Sequence, residues 1–362
     1  MVSIRHRGAE IRQFILGHIE EHPGDIVALT AQTFGISRQG VHRHLQRLVR
    51  EQVLQMHGTT RSRRYTLHPL IHLLTPYALH DIQSEQGVWI RDIKPALVGL
   101  SENVQTIWHH GFTEIMNNAL EHSGGEEVTV KIDQTAIDTK MVIWDDGEGI
   151  FKKLQRELGL EDARHAVLEL TKGKVTTKPE GHSGEGIFFT SRMFDDFSIV
   201  SGNVHFTLMH GKPVEAGAEH AVGWIAEQQT PTKGTAVFMA LNNQTSRTTK
   251  EVFDRFTTDD DEFAFAKTVV PVRLAQYGDD KLVSRSQGKR LLAGLDRFSV
   301  VLLDFEGVDL IGQGFADEVF RVWANAHPKI ELAAVNAHPD VAYMIRHAVG
   351  RSRAAMILGQ DA

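Results

Sequence analysis

The chain reads as a multidomain α/β (α+β) protein, and three observations predict this. Its 362 residues exceed what one hydrophobic core of ordinary size takes up, so two or three domains are expected. Apolar periodicity changes character along the chain. Helical spacing dominates residues 1–68, longer helices mixed with alternating strands follow, and strand and helix alternate again after residue 299. Glycine-rich turns between strand and helix segments stand at 145–150 and 181–186. The expected division is 1–68, 69–250 and 251–362.

In the first segment, IRQFILGHIEEH (11–22) has apolar residues at helical spacing and is expected to stop at His22-Pro23-Gly24. DIVALTAQTFGI (25–36) predicts a short helix closed by a turn at Gly35, after which Ser37 caps SRQGVHRHLQRLVREQ. Val41, Leu45 and Leu48 then face inward, and Arg38, Gln39, His42 and Arg43 face outward. VLQMHGTTRSRRYTL (53–67) predicts a β-hairpin whose tip carries Arg61, Arg63 and Arg64.

Charge sharpens this segment. The chain carries a net charge of −7, yet residues 36–64 hold seven arginines against the single acid Glu51. A basic island in an acidic chain points to a local anionic partner. Helix-turn-helix plus hairpin resembles the winged-helix families of bacterial transcription regulators. That resemblance implies DNA as partner, with Arg38, Gln39, His42 and Arg43 at base edges and Arg61, Arg63 and Arg64 on phosphate or in the minor groove. HIEEH at 18–22 matches a metalloprotease string, but it runs into Pro-Gly on a helix whose apolar face the core needs, so no zinc site is expected.

The middle segment carries four short motifs in order. FTEIMNNALEHS (112–123) sits in a segment, 103–121, predicted as one long helix or two abutting ones, and puts Glu114 and Asn118 one helical turn apart on one face. Strands are predicted at 127–133 and 140–145, the second ending in DDGEGI (145–150). GHSGEGIFF (181–189) opens another helix, and GTAVFMAL (234–241) heads an apolar strand. This order and spacing resembles the GHKL ATPases, the superfamily of gyrase, mismatch-repair ATPases, sensor histidine kinases and anti-sigma-factor kinases, across roughly residues 70–245.

The resemblance implies ATP and Mg²⁺ as cofactors and gives each motif a role. Glu114 orients or deprotonates the water that attacks the γ-phosphate, and the Asn118 amide oxygen is a ligand of Mg²⁺. Asp145 accepts from the adenine amino group, Gly147 and Gly149 turn the backbone tightly against base and phosphates, and Thr235 supports the adenine contact through its hydroxyl. Gly184 and Gly186 lead into a helix whose N-terminal amides face phosphate oxygens. Between Gly149 and Gly181 lies the expected ATP lid, suited to ordering over a triphosphate. His182 and Ser183 are placed to touch phosphates, while Lys172, Lys174 and Lys178 read equally well as solvated lid charges. Asp146 has no assigned role, and Trp108-His109-His110-Gly111 runs straight into the nucleotide helix, the wrong place for a phosphoacceptor histidine.

In the last segment, strands at 299–305 and 329–335 alternate with helices at 314–325 and 339–348, and EFAFAKTVVPVRLAQYG offers a further strand. This resembles STAS-like domains, the fold of anti-sigma-factor antagonists. Their phosphoacceptor loop here runs from Asp309 to Gly314 without serine or threonine, so phosphorylation in cis is not expected and an interaction or sensing role is.

The absence of cysteine excludes disulfides and thiol catalysis. MVSIRHRGAE lacks the apolar run of a signal peptide and no stretch approaches a membrane span, so a cytoplasmic protein without a membrane partner is expected. Together the motifs predict a weak ATPase acting as an ATP-controlled, DNA-binding regulator, a homodimer on paired half-sites, with a possible protein partner at the STAS-like domain. The alternative is an anti-sigma-type serine/threonine kinase acting on a separate STAS partner.

Overall fold

The computed structural model describes residues 4–59, 62–175, 184–210, 221–257, 265–276 and 281–358. It divides into two compact units. One is drawn from residues 1–75, 130–141 and 241–244, the other from 76–129, 142–240 and 245–362.

The first unit begins with helices α1 (Ile4–His18), α2 (Ile26–Phe34) and α3 (Arg38–Arg50), followed by a hairpin of β1 (Leu54–His57) and β2 (Arg64–Leu67). Ile11, Ile15, Ile26, Val41, Leu45, Leu48, Leu54 and Tyr65 bury one shared core. Gly35 ends α2 in the left-handed region at φ 59°, and the Ser37 hydroxyl accepts from the Gly40 amide at 3.1 Å. Helix α1 stops at His18, short of the expected His22, where Pro23 has no amide to bond the Ile19 carbonyl and continue the helix. The hairpin pairs His57 with Arg64, so Arg64 lies in strand β2 rather than at the tip. Arg61 lies outside the described residues. Strand β3 (Ile71–Ala78) follows, with the Leu70 amide on Gln134 and His72 on Asp133 at 2.6 Å.

A short helix α4 (Glu85–Val88) continues through a wide π turn at Trp89–Ile93 and a tight turn to Leu97, leading to the long helix α5 (Glu102–His122). Strands β4 (Glu127–Gln134) and β5 (Asp138–Asp145) come next, then helices α6 (Ile150–Leu158), α7 (Ala163–Lys172) and α8 (Gly186–Met193). Strands β6 (Asp196–His210) and β7 (Ala221–Asn242) complete a five-stranded sheet ordered β3-β4-β5-β7-β6. Helix α5 buries Val104, Ile107, Trp108, Phe112, Ile115, Met116 and Ala119, which leaves a second stripe of the same helix open.

Helix α9 (Thr249–Asp254), started by a capping box of Thr248 and Glu251, leads to the C-terminal layer. There β8 (Lys267–Pro271), β9 (Val300–Asp304) and β10 (Glu331–Val335) form a parallel sheet in the order β10-β9-β8. Parallel neighbours need crossovers. These are α10 (Arg285–Leu292), then α11 (Gln313–Asp317), which winds on through a π turn to α12 (Ala324–Ala326); α13 (Pro339–Leu358) follows β10. The strand expected inside EFAFAKTVVPVRLAQYG is β8. Among the described residues no helix is long and apolar enough to cross a membrane.

Candidate functional site

On α5 the residues Glu114, Asn118 and His122 follow one another at single-turn spacing and are half-buried, while Ile115, Met116 and Ala119 beside them are buried. The helix thus offers a polar stripe where its core face ends. Against it stands the end of β5, where Asp145 is 7% exposed. The Asp145 carboxylate accepts from the Gly147 amide at 2.9 Å and from the Thr235 amide. Burial raises its pKa above the ordinary carboxylate value, against these two bonds.

The turn after Asp145 is fixed from three sides. Gly149 has φ 94°, and a Cβ there would stand 2.6 Å from the Ser201 hydroxyl. The Ile150 amide donates to the Thr235 hydroxyl at 2.9 Å, so this hydroxyl, expected to face the ligand, also fastens the start of α6. Gly147 does not line the cavity; a side chain there would strike the Ser123 carbonyl at the end of α5. Its smallness serves the joint between helix and turn.

Asp146, unassigned from sequence, accepts from the amides of Glu126 and Glu127 at 2.8 and 3.0 Å and from Lys233 at 3.0 Å. The Glu127 amide, Lys233 and the Glu126 amide hold its pKa down at about 2. A depressed carboxylate contributes stability above its unfolded value, lost as pH falls toward 2. It clamps the turn to the start of β4.

Gly184 has φ 71° and sits so close to the Val175 backbone that no side chain fits. Gly186, first residue of α8, packs against the Glu114 carboxylate, which a Cβ there would push aside. The result is a cavity of about 340 Å³ lined by Glu114, Asn118, Asp145, Gly149, Gly184, Gly186 and Thr235, with Ile143, Ile150, Leu154, Ile199 and Val237 as its apolar walls. Apolar walls with a few convergent polar groups are the usual form of a small-molecule site. Sequence reasoning missed Lys153. Its ammonium donates to the His122 carbonyl at 2.9 Å, and it is the sole lysine or arginine among the described lining residues. The spacing of Lys153 from Ile150, both on the inward face of α6, is the signal that could have found it.

Residues 88–209 match the histidine kinase-like ATPase domain. The match spans every motif residue of the cavity except Thr235, which the fold brings in from β7. This ATPase domain supports ATP binding. Residues 287–342 match a STAS-like domain of unknown function. No curated protein matches the chain.

One histidine of the ATPase domain, His110, is set aside as a phosphoacceptor. Burial, and then neighbouring His109, lower the His110 pKa to about 4, and its Nε2 is sealed from solvent with no hydrogen-bond partner among the described residues. Such a ring has no approach for a phosphoryl group. Two of the expected lid charges are also corrected. Lys172 is 2% exposed and pairs with Glu169 at 2.6 Å, and Lys174 lies over the Phe298 ring at 4.7 Å. Lys178, His182 and Ser183 fall outside the described residues.

Away from the cavity, Arg38, Gln39 and Arg43 are exposed along α3, His42 is half-buried beside them, Arg64 is exposed on β2, and Arg63 is half-buried. Arg47 is neutralised by Glu51 at 2.7 Å. Arg38, Arg43 and Arg64 have no ion pair among the described residues.

Proposed function

We propose that this chain is an ATP-binding, DNA-binding regulator, in which Mg·ATP at the cavity controls an N-terminal winged helix and slow hydrolysis resets the state. The observation that carries this reading is the pairing, in one chain, of a Glu114–Asn118–Asp145 cavity with exposed arginines on α3 and β2 that have no acidic partner among the described residues. Arginines left unneutralised on a helix face and an adjoining hairpin suit phosphate contact.

In the ATP reading Asp145, anchored by Gly147 and Thr235, accepts from the adenine amino group. The donor set fits Mg²⁺, since Asn118 and Glu114 put hard oxygens one turn apart on the same wall; the Asn118 amide oxygen would hold the ion. Bound there, Mg²⁺ supplies charge neutralisation across the phosphates. Glu114 takes a proton from the water whose oxygen bonds to the γ-phosphorus; the bond from that phosphorus to the bridging oxygen breaks, and ADP keeps the electron pair.

Lys153 supplies the cavity's own cation toward the triphosphate. Lys153→Met is expected to weaken Mg·ATP binding about tenfold while leaving adenosine affinity unchanged, as titration calorimetry with both ligands would measure. Equal loss for both ligands would show that Lys153 only caps α5.

The deciding experiment measures DNA affinity at fixed salt without nucleotide and with Mg·ATP, Mg·ADP or a non-hydrolysable analogue, in wild type and Asn118→Ala. Affinity that moves with nucleotide in wild type alone supports the switch, which requires nucleotide to favour one arrangement over the other. Affinity equal in every state sinks it, and transfer of γ-phosphate label to a separate STAS protein would establish the kinase alternative. Arg43→Ala with Arg64→Ala should lower DNA affinity by roughly tenfold or more. The slope of log K against log salt should become shallower by about two, with the nucleotide site untouched.

A further inference from the structure

The wall of the cavity formed by the end of α7 has an unusual construction. Leu170 and Val175 both line the cavity, and the four residues between them, Thr171 to Lys174, are bonded away from it. The Lys172 ammonium donates to the carbonyls of Arg290 and Ala293 at 3.1 and 2.9 Å, and these belong to the C-terminal end of α10. A cation at a helix C-terminus meets both unpaired carbonyls and the negative end of the helix dipole. The Lys172 carbonyl in turn accepts from the Thr268 hydroxyl on β8 at 2.7 Å.

Lys174 repeats the arrangement with a different partner. Its ammonium donates to the Arg297 carbonyl at 3.1 Å, and the Arg297 guanidinium donates back to the Lys174 carbonyl at 2.9 Å. The Thr171 carbonyl accepts from Arg192 of α8 at 3.2 Å. Beyond this stretch the Val175 amide donates to the Gly184 carbonyl at 3.2 Å, and two residues on Gly186 packs against the Glu114 carboxylate. Apart from the Lys172–Glu169 pair and bonds back within α7, the bonds named for the outer side of the stretch end on the C-terminal layer or α8, and Val175 beyond it ends on Gly184.

We propose that the STAS-like domain is the mount of the nucleotide lid, with Lys172 as a positioning residue that sets where Leu170, Val175 and Gly184 stand in the cavity. The proposal rests on the ATP reading of that cavity. It gives the domain of unknown function a job that needs no phosphoacceptor serine, in keeping with the Asp309–Gly314 loop that has none. The domain holds the phosphate end of the site in place and leaves the Asp145 end to the five-stranded sheet. A protein that bound the STAS-like domain and shifted α10 would move the lid with it.

The test uses substitutions on the STAS side, remote from the ligand. Thr268→Val keeps the shape of a buried side chain while deleting its bond to Lys172, and Arg297→Ala removes an exposed guanidinium. The double variant of the full-length chain is titrated with Mg·ATP and with adenosine, and its melting temperature is measured. Mg·ATP affinity is expected to fall about tenfold, the worth of one or two hydrogen bonds, with adenosine affinity unchanged. Unchanged affinity for both ligands in a folded variant overturns the proposal. So does an equal fall in both, because general loosening of the fold spares neither end of the site. Wild-type protein that binds neither ligand overturns the ATP reading itself, and the mount with it.

Discussion

Alanine at position 118 is expected to abolish Mg·ATP binding, by at least about a hundredfold, while leaving the fold intact. Asn118 is half-buried on the open stripe of α5, away from the face that packs Ile115, Met116 and Ala119. Alanine is also the better helix former, so the melting temperature should hold or rise slightly. A loss of binding in such a variant cannot be put down to unfolding. Adenosine, which needs no metal and is held at the Asp145 end, should still bind. Calorimetry with Mg·ATP, ATP plus chelator, and adenosine separates the cases. Wild-type affinity for Mg·ATP in the variant would place the metal ligand elsewhere.

The second large effect concerns turnover. Glu114→Gln should bind Mg·ATP like wild type and lose hydrolysis by roughly a hundred- to ten-thousandfold, the usual worth of a positioned general base. Glutamine is the informative change because Gly186 packs directly on the Glu114 carboxylate. It preserves the shape on which α8 rests and removes only the proton acceptor. Phosphate release measured under saturating Mg·ATP reads the step directly. A Glu114→Gln protein that hydrolyses ATP at the wild-type rate would remove Glu114 from the reaction.

Where local rules act alone, the sequence was a good guide. The Ser37 cap, the Gly35 turn and the inward spacing of Val41, Leu45 and Leu48 follow from neighbouring residues, and all are present. The 103–121 segment, legible as one helix or two, is the single helix α5, and the pocket residues Glu114, Asn118, Asp145, Gly149, Gly184, Gly186 and Thr235 do converge on one cavity. Features set by distant packing were not legible. Lys172 and Lys174 look like solvated charges in a Lys/Thr/Gly-rich stretch, and only the carbonyls of Arg290, Ala293 and Arg297, over a hundred residues later, make them structural. Asp146 looked idle because its partners are backbone amides at Glu126 and Glu127. The Ser123 carbonyl that leaves no space for a side chain at Gly147 comes from the end of α5, which no local pattern announces.

Arg192 carries one more consequence, for how such a chain can be inherited. Its guanidinium is 7% exposed, lies 3.4 Å over the Phe188 ring, and donates to the carbonyls of Phe188, Thr171 and Val269. Burial lowers its pKa to about 9. Around it Phe188 meets Phe256 edge to face at 4.9 Å and Phe265 at a tilt at 4.5 Å, and Phe265 meets Phe298 edge to face at 5.1 Å. These rings come from both sides of residue 250, where a gene-level recombination would most naturally cut. Severing the chain there would hand one fragment a guanidinium and a bare phenylalanine face, and the other the rings that cover them. Cutting the chain there therefore uncovers apolar surface on both pieces and a buried cation on one, so the two halves are expected to fold as one heritable piece.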